Sequence, residues 1–567
     1  MSQRKPPPNK PEHTGDPNPE IIETEVATNH NIDKSIRFLP YLNIAAWIAL
    51  VFGFVLVSYY CWDKCTSVYE DNYWSAHRMF FSHLLLSGNN LYSTTTTGAF
   101  QYHLYGPFYP IYFVPATLIQ NYRHEVMVGT LMSFLALLVP LTLVFYTILR
   151  KNSKGAPLRY ALVFAIVLMF YLFITQMSFV VFKLHVDSLA IGGSLLSLLC
   201  LARFHTHKSS VFYLLLSGFF LSISIYSKQT TALLVLLPLG YFLFARKDGT
   251  PRIKSLAYFF APIVFIGLLI LIHYGWDALY TNMLEMPKNQ PLRRLDAFEH
   301  MFLHYYSKDM PLPLDMHQSI VEKIKILVHN TGYFITGNNL FCLILLVTVL
   351  SFFTKSENLR PGFLEKLFLS SLPILALTSI LGYSKIGGDM SSMSYLLVFT
   401  YTLAIVRLVN YLSSDHFRFV KMGCIMLLPI LKLGIDAYKD FSYNGDYTVR
   451  PTNGELVYDY CLKNPGTIYF PAYNFEQYKA EGALYPVSDS LYNFDLAGLV
   501  IQEDLLRKVL PHDIKYVVID RWDPGCRTIH RLYENLYKDI PVLDFEELDD
   551  RLRNEGSAFF PSKREKH

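Results

Sequence analysis

The chain has 567 residues, of which 52% are hydrophobic and only 17% are charged, whereas a soluble protein carries about 25% charged residues. This composition excludes a soluble multidomain enzyme, a disordered scaffold and a collagen-like fibre. The net charge of +4 is too small to indicate binding to nucleic acid. The seven cysteines contain no CxxC pair of the zinc-site type and are too few for a disulfide framework. The composition therefore predicts a membrane protein.

The chain begins with a polar, proline-rich segment, 1–36, which is predicted to be a disordered cytoplasmic tail. It is too long and polar for the n-region of a signal peptide, so we expect the first span to act as an uncleaved signal anchor. A bilayer core of ~30 Å requires roughly 17–25 apolar residues as helix. The eleven predicted spans are 41–60, 126–149, 160–182, 187–203, 211–226, 231–245, 255–274, 332–353, 363–382, 393–412 and 418–436. The shorter apolar stretch 107–120 contains prolines and is predicted to be interfacial.

Basic residues are concentrated in the loops on one side of these spans. The loops rich in lysine and arginine are 150–159, 203–210, 246–254, 354–362 and 413–421. The short loops on the opposite side, each with a single lysine, are 183–187, 227–230 and 383–392. Because short loops rich in Lys and Arg remain in the cytoplasm, the N-terminus is predicted to be cytoplasmic.

This orientation divides the chain into a membrane domain, 37–436, and an external C-terminal domain, 437–567. The membrane domain carries two long external loops, 61–125 and 275–331. The C-terminal domain contains strand-like runs and is predicted to be a small α/β domain, so the fold class is an all-α polytopic membrane protein with an α/β appendage. Its two cysteines, Cys461 and Cys526, are expected to be either a disulfide or two buried thiols.

The first external loop opens with an amphipathic pattern that predicts a helix over 68–87 along the membrane surface. Glu70 and Asp71 stand at its start. Carboxylates are also common in the first turn of a helix because the helix dipole favours them. The sequence alone therefore leaves a structural and a functional role open for this pair.

The short external loops carry an unusual set of polar residues at the span boundaries. One contains Lys183, His185 and Asp187, the next contains Lys228 and Gln229, and the third contains Lys385 and Asp389 beside two glycines and three serines. Snorkelling lysines and ordinary turns explain any one loop. Ionisable residues at membrane depth usually mark a site, however, and lysines beside backbone N–H groups of glycine suit a phosphate.

Together these residues predict a pocket at the outer membrane surface for a lipid-linked phosphate. We expect Lys228 and Lys385 to bind the phosphate, with Arg78 and His185 as second-rank candidates. The substrate-binding residues are predicted to be Tyr105, Gln229, Asp187 and Asp389. The sequence contains no GxxxxGK[ST], GxGxxG or HExxH motif, which weakens the cases for an ATP-driven pump and for a zinc protease.

In this order the motifs resemble those of the GT-C superfamily of integral-membrane glycosyltransferases. The motifs that carry the resemblance are YEDNYWSAHRMFFSHLLLSGNNLY (69–92), YGPFYP (105–110), DSLA (187–190), SKQT (227–230) and KIGGD (385–389). The resemblance implies a GT-C-like fold over the eleven spans and transfer of a sugar from a polyprenyl phosphate to an acceptor at the non-cytoplasmic face. Family members more often have Asp before Glu or a spaced DxD, whereas this chain has Glu70 before Asp71.

The chemistry predicted from these residues is an inverting displacement. Asp71, or failing it Glu70, is expected to accept the proton of the acceptor hydroxyl as a general base. Cations stabilise the charge that gathers on the departing phosphate. A divalent cation, Mg²⁺ or Mn²⁺, assists some members of the family and a carboxylate pair suits one, but the sequence assigns no metal ligand.

Two other functions compete with this interpretation. A transporter or lipid flippase also places charges among its spans, but it often shows inverted repeats, and the sequence contains none. A lipid-linked polysaccharide polymerase or ligase would use arginines of a large external loop. Arg293 and Arg294 in 275–331 keep that alternative open, although a solvated amphipathic helix explains them as well.

The compartment is predicted from an absence of glycosylation sites. The sequence contains no N-x-[ST] sequon, which an external segment of a protein of the endoplasmic reticulum would commonly carry. We therefore expect a bacterial inner membrane, with the site in the periplasm. The acceptor is expected to be a lipid, a glycan or a protein.

Overall fold

The structure is a computed structural model of the full chain. It describes residues 19–66, 73–92, 103–152, 156–206, 210–245, 252–295, 318–354, 360–385, 390–413, 417–443, 453–499, 504, 513–519, 540–554 and 559. Within these ranges the protein is a polytopic all-α membrane protein with a short parallel sheet near its C-terminus.

The helices of the first half follow the predicted apolar stretches. They are α1 Pro19–Thr66, α2 Tyr73–Leu86, α3 Phe108–Phe113, α4 Tyr122–Asn152, α5 Ala156–Gln176, α6 Ser178–Val181, α7 Val186–Thr206, α8 Val211–Ile225, α9 Leu236–Gly240, α10 Arg252–Tyr274, α11 Trp276–Tyr280 and α12 Met286–Asn289. Tighter or wider turns at Val114–Leu118, Gln229–Val235, Tyr241–Ala245 and Thr281–Glu285 extend α3, α9 and α11.

The second half adds nine helices and three strands in the described residues. The helices are α13 Ile320–Gly337, α14 Asn339–Ser351, α15 Phe363–Ser384, α16 Ser394–Ser413, α17 Arg418–Tyr443, α18 Asn453–Lys463, α19 Asn474–Glu481, α20 Ser488–Leu496 and α21 Phe545–Asn554. The strands are β1 Ile468–Tyr469, β2 Tyr516–Val518 and β3 Val542–Leu543, and a 3₁₀ turn, Met390–Met393, precedes α16.

Helices lie at all eleven predicted span positions in the described residues. Those long and apolar enough to cross a membrane are Pro40–Thr66, Tyr122–Lys151, Pro157–Gln176, Val186–Thr206, Arg252–Tyr274, Phe363–Ser384 and Ser391–Ser413. Two others, Val211–Ile225 and Gln229–Phe244, are shorter apolar helices, and α17 is interrupted by charged residues. The number of eleven spans therefore stays a prediction.

The structure differs from the sequence-based expectation at two helices. Residues 19–36 of the segment expected to be disordered are helical, because α1 continues from the first span back to Pro19, and extending an existing helix is far easier than starting one. The predicted span 332–353 is not one helix, since α13 and α14 meet at an angle of 92°. The break lies at Asn338, whose backbone leaves the helical region at φ −123° and ψ 45°.

The membrane domain has one large apolar core shared by its spans. Its centre is α7, which is buried along most of its length against α4 and α8. Small residues permit this close approach, since a Cβ added to Gly192 would lie 2.1 Å from the carbonyl oxygen of Ala136. The N-terminal end of α7 carries Asp187, which is therefore buried at the centre of the bundle.

The C-terminal domain folds around a three-stranded parallel sheet in the order β1-β2-β3. Ile468 pairs with Tyr516, and Val518 pairs with Leu543. The helices around it contribute Val457, Phe545 and Leu548 to a separate apolar core. Cys461 lies in this core as a free thiol, and burial raises its pKa above the ordinary range. Cys526 lies outside the described residues.

Candidate functional site

Three of the predicted site residues lie in parts of the chain that the structure does not describe: Glu70, Asp71 and Asp389. The predicted surface helix is described from Tyr73 to Leu86, so the described helix begins two residues after Asp71. Of the remaining predicted residues, Arg78, His185, Asp187 and Lys228 form one cluster. Tyr105, Gln229 and Lys385 lie in neighbouring segments.

The centre of the cluster is Asp187 in the first turn of α7, whose side chain is completely buried. Its Oδ1 lies 2.5 Å from the Nζ of Lys228, which follows the outer end of α8. Its Oδ2 lies 2.7 Å from the Nδ1 of His185. The structure thus brings together three residues from two short external loops, 183–187 and 227–230. Pairing satisfies a carboxylate that would be very costly to bury alone.

Arg78 approaches this cluster from the first external helix, α2. Its Nη1 donates a hydrogen bond of 2.5 Å to the carbonyl oxygen of Leu184, immediately before His185. Burial and then the nearby Arg78 lower the pKa of His185, while contact with Asp187 raises it. The net direction is downward, so the buried imidazole is kept neutral more readily than one in water.

Tyr395, at the start of α16, closes another side of the cluster. Its side chain is buried, and the Nζ of Lys228 lies 5.6 Å from the centre of its ring. Sequence reasoning missed this residue, although it ends the serine-rich loop that contains Lys385. A tyrosine at an aromatic-rich membrane boundary gives no local signal of a site.

The return segment of the first external loop is fixed against the Lys228 turn. Gly106 donates a 3.1 Å backbone hydrogen bond to Ser227, and Phe108 donates one to Tyr226. A Cβ on Gly106 would lie 1.8 Å from the carbonyl oxygen of Tyr226, so only glycine fits. Tyr105, a predicted substrate-binding residue, is therefore held next to this turn.

Gln229 links the same turn to two other segments. Its Nε2 donates to the carbonyl oxygen of Leu104 at 2.9 Å and to that of Met283 at 3.3 Å. The first partner belongs to the first external loop and the second to the external segment after α10. In the structure this predicted substrate-binding residue joins the two external loops.

Lys385 makes a different contact from the one expected. Its Nζ donates a 2.5 Å hydrogen bond to the carbonyl oxygen of Pro287, and its backbone forms a bridge with Leu292. Pro287 lies four residues after Met283, the partner of Gln229, so both side chains hold the same external helical segment. Burial is the main cause that lowers the pKa of Lys385 to about 8. A phosphate-binding role for Lys385 stays a prediction.

Two buried histidines lie behind Arg78 and were not predicted. His103 is 1% exposed and stacks on Tyr109 with 6.0 Å between ring centres. Burial lowers the pKa of both His103 and His77 to about 3. Because both imidazoles are kept neutral, Arg78 is the cation beside them. Its guanidinium donates to the carbonyl oxygen of Leu184.

A second buried carboxylate connects the C-terminal domain to α2. Glu125, at the start of α4, is completely buried, and its Oε1 lies 2.5 Å from the Nε2 of His83 on α2. Its Oε2 accepts a 2.9 Å hydrogen bond from the Nζ of Lys479 on α19. Phe80 of α2 also packs against Tyr478. We call Glu125, His83 and Lys479 the joint.

The described residues contain no group of three or more His, Cys, Asp or Glu side chains able to hold a metal ion. The carboxylate pair that would suit Mg²⁺ or Mn²⁺, Glu70 and Asp71, lies outside those residues. The described cluster contains two cations, Arg78 and Lys228, beside the buried carboxylate of Asp187.

Neither a family model nor a curated protein matches the chain. Among solved structures it is similar to two crystal structures of ArnT from Cupriavidus metallidurans, one in the apo state and one bound to undecaprenyl phosphate. Each is 11% identical with a TM-score of 0.36. The similarity covers 89% of this chain and 91% of the apo protein, and 88% and 90% for the bound one. At this TM-score the likeness alone defines neither the fold nor the function of this chain.

Proposed function

We propose that the protein is a GT-C-type glycosyltransferase that moves a sugar from a polyprenyl-phosphate donor to an acceptor hydroxyl at the non-cytoplasmic face. The observation that carries the proposal is the convergence of Arg78, His185, Asp187 and Lys228 at the outer ends of buried helices. An anionic headgroup whose tail lies in the bilayer fits such a cluster. The resemblance of the sequence motifs to this superfamily supplies the reaction.

Arg78 is the first phosphate ligand in this proposal and Lys228 the second. The charge of Lys228 is already compensated by Asp187 at 2.5 Å. The guanidinium of Arg78 is half-buried and donates to a carbonyl oxygen, which leaves its positive charge for an anion. A guanidinium also presents several N–H groups in the planar arrangement that binds phosphate oxygens in pairs.

The general base in this proposal is Asp71, with Glu70 as the alternative. Asp71 precedes by two residues the helix that carries Arg78. The base takes the proton of the acceptor hydroxyl while the hydroxyl oxygen forms a bond to the anomeric carbon. The bond from that carbon to the phosphate oxygen breaks, and the electron pair leaves with the polyprenyl phosphate. Arg78 and Lys228 stabilise the added negative charge, and direct displacement inverts the anomeric centre.

The C-terminal domain is proposed to bear on the choice of acceptor. Gln290 in the second external segment donates a 3.0 Å hydrogen bond to Asn493 of α20. Phe494 packs against Met286 in the same segment. The domain therefore contacts the second external segment, which Gln229 joins to the Lys228 turn. We propose a bacterial inner membrane as the compartment, with a lipid, glycan or protein as acceptor.

The test is transfer of a labelled sugar from a polyprenyl-phosphate donor by the purified chain in lipid. Asp71→Asn, which is nearly isosteric, is expected to lower turnover by about 10²–10⁴-fold with donor binding retained. Arg78→Gln is expected to weaken donor binding, and Arg150→Gln, at the cytoplasmic end of α4, is the matched control. The base roles are exchanged if Glu70→Gln abolishes turnover and Asp71→Asn does not.

Product analysis separates this proposal from its two competitors. A flippase moves the lipid-linked sugar across the bilayer without cleaving the phosphate ester. A polymerase or ligase releases a product that carries more than one added sugar unit. Full activity of both the Asp71→Asn and the Glu70→Gln variants would refute the catalytic role of this loop.

A further inference from the structure

Helix α13, Ile320–Gly337, lies across the direction of the membrane helices. It meets α14 at 92°. Helix α14 runs beside α16, a membrane span: Phe341 contacts Tyr401, and Ser351 accepts a 2.9 Å hydrogen bond from the Nε of Arg407. Since α14 follows a membrane span over its length, the sharp turn at Asn338 lays α13 along the membrane plane.

One side of α13 is packed against the external end of the bundle. Asn330 accepts a 3.0 Å hydrogen bond from the backbone N–H of Leu295 and donates to the carbonyl oxygen of Arg293 and the hydroxyl of Ser384. Phe334 is buried beside it. Ser384 ends α15, so this side fixes α13 at the outer end of a membrane span.

A second side of α13 is apolar and open. Ile320, Ile324, Val328 and Ile335 are 77%, 55%, 69% and 49% exposed. At about 100° per residue, these four positions fall within one quarter of the helix circumference. A third side is polar and exposed and includes Lys325 and Thr336. A helix with one packed, one apolar and one polar side fits the boundary between protein, lipid and water.

We propose that α13 is a membrane-surface helix whose open apolar side lies in the outer leaflet of the bilayer. Leu340, Leu343 and Leu350 of α14, the helix that follows α13 directly in the chain, are likewise exposed, at 69%, 56% and 55%. Because α14 runs beside a membrane span, lipid covers these leucines, and the same lipid surface extends over α13. Lys325, on the neighbouring polar side, faces the phosphate groups of the lipids.

Lipid contact at α13 has a consequence for the second external segment. The packed side holds residues 293–295 through Asn330, and Leu292 forms the backbone bridge to Lys385. The depth of α13 in the leaflet therefore sets the height of this segment above the membrane. This inference concerns lipid contact and is independent of the proposed sugar transfer.

The experiment places a nitroxide at single positions of the full chain reconstituted in phospholipid nanodiscs. A ketone-bearing unnatural residue carries the label, so the seven native cysteines remain. Ile324 and Val328 are the test positions, and Lys325 and Thr336 are the matched controls on the polar side. All four are exposed, so the substitutions disturb little packing.

At positions 324 and 328 we expect collisions with oxygen to exceed those with a water-soluble nickel complex severalfold. At 325 and 336 we expect the reverse. Exclusion of both reagents at 324 and 328 would show that protein covers this side, either another part of this chain or a partner, and would overturn the proposal. Preferential access of the nickel complex at these positions would place them in water and overturn it as well.

Discussion

Two buried carboxylates in this protein have almost the same surroundings. Asp187 and Glu125 each stand in the first turn of a membrane helix, and the side chain of each is completely buried. Each lies between an imidazole and a lysine ammonium, at 2.7 and 2.5 Å for Asp187 and at 2.5 and 2.9 Å for Glu125.

The difference lies in what surrounds the two pairs. The imidazole of His83 at the joint packs against Phe475 and Tyr478, so the charges are closed in by rings of the C-terminal domain. Asp187 instead has Tyr395 beside it and Arg78 within electrostatic range of its histidine partner. At the joint the carboxylate is paired and aromatic rings surround it, whereas the cluster around Asp187 contains an additional cation, Arg78. Carboxylates with equal burial and equal partners thus have different surroundings: Glu125 joins α2 and α4 to the C-terminal domain, whereas Asp187 has a further cation, Arg78, close to its histidine partner.

The largest expected effect comes from replacing both Asp187 and Lys228 with neutral side chains, and the same replacement of Glu125 and Lys479 is the comparison. Asp187→Asn with Lys228→Met removes the buried charges together, so the chain should fold while sugar transfer falls by about 10²-fold or more. Glu125→Gln with Lys479→Met should fold and keep near wild-type transfer. Labelled-sugar transfer and the thermal midpoint measure the two outcomes. Equal loss of transfer in both double variants would contradict the distinction.

The second prediction concerns single substitutions at the joint. Glu125→Gln leaves the ammonium of Lys479 buried without its carboxylate, and breaking a buried pair in this way costs about 3–5 kcal/mol. Limited proteolysis and the thermal midpoint of the C-terminal domain should show the loss. Lys479→Arg should retain most of the stability, and Lys463→Met, at an exposed position of α18, is the control. An unchanged cleavage rate in Glu125→Gln would show that the joint is not what fastens the domain.

A third carboxylate sharpens the comparison, because burial raises the pKa of Glu476 to about 7. The unfolded chain ionises this group near its ordinary pKa of 4.5. Its contribution to stability is therefore complete below about pH 4.5 and is lost as the pH rises through 7, up to about 3 kcal/mol.

Glu476→Gln should remove this pH dependence and stabilise the C-terminal domain above pH 7. The measurement is the thermal midpoint of the full chain at pH 5 and at pH 8. Glu546→Gln, at an exposed position of α21, should leave the pH dependence unchanged. If wild type and Glu476→Gln respond identically to pH, Glu476 ionises normally in the folded protein.

The smallest effect is expected for an ion pair made by Arg123, two residues before Glu125. Arg123 forms an ion pair with Glu455 of α18, and its side chain is 39% exposed. Ion pairs that are partly exposed to solvent contribute about 1 kcal/mol or less to the free energy of unfolding. Arg123→Met should therefore lower the thermal midpoint much less than Glu125→Gln does. A loss of thermal stability as large as that of Glu125→Gln would mean that the Arg123–Glu455 pair, rather than the buried carboxylate, holds the C-terminal domain in place.

The helices at the predicted span positions could be inferred because their signals are local. An apolar run long enough to cross a bilayer is read directly from the sequence, and α7 begins at Val186, one residue before the DSLA motif. Residues of short loops such as His185 and Lys228 are confined to one membrane face by the helices on either side. Their convergence follows from topology, although the pairing of Asp187 with Lys228 does not.

The remaining features depend on partners far away in the chain. Glu125 lies at the start of α4, and nothing in the local sequence indicates Lys479 as its partner, since only the folded C-terminal domain supplies that lysine. The turn at Asn338 lies inside the predicted span 332–353, because the last residues of α13 and the whole of α14 form one largely apolar run in the sequence. Lys385 has a charge suited to phosphate, but its hydrogen bond to Pro287 arises from the path of the second external segment.

The joint also sets an order of events while the protein is made. Lys479 is 354 residues beyond Glu125 in the chain, and synthesis at about 5–20 residues per second takes roughly 20–70 s to cover that distance. During this interval Glu125 and His83 have been made without the lysine that later neutralises the carboxylate. The contact between α2 and the C-terminal domain is therefore complete only after residue 479 has been made, and a chain that stops before it has its membrane helices but lacks the lysine that pairs with Glu125.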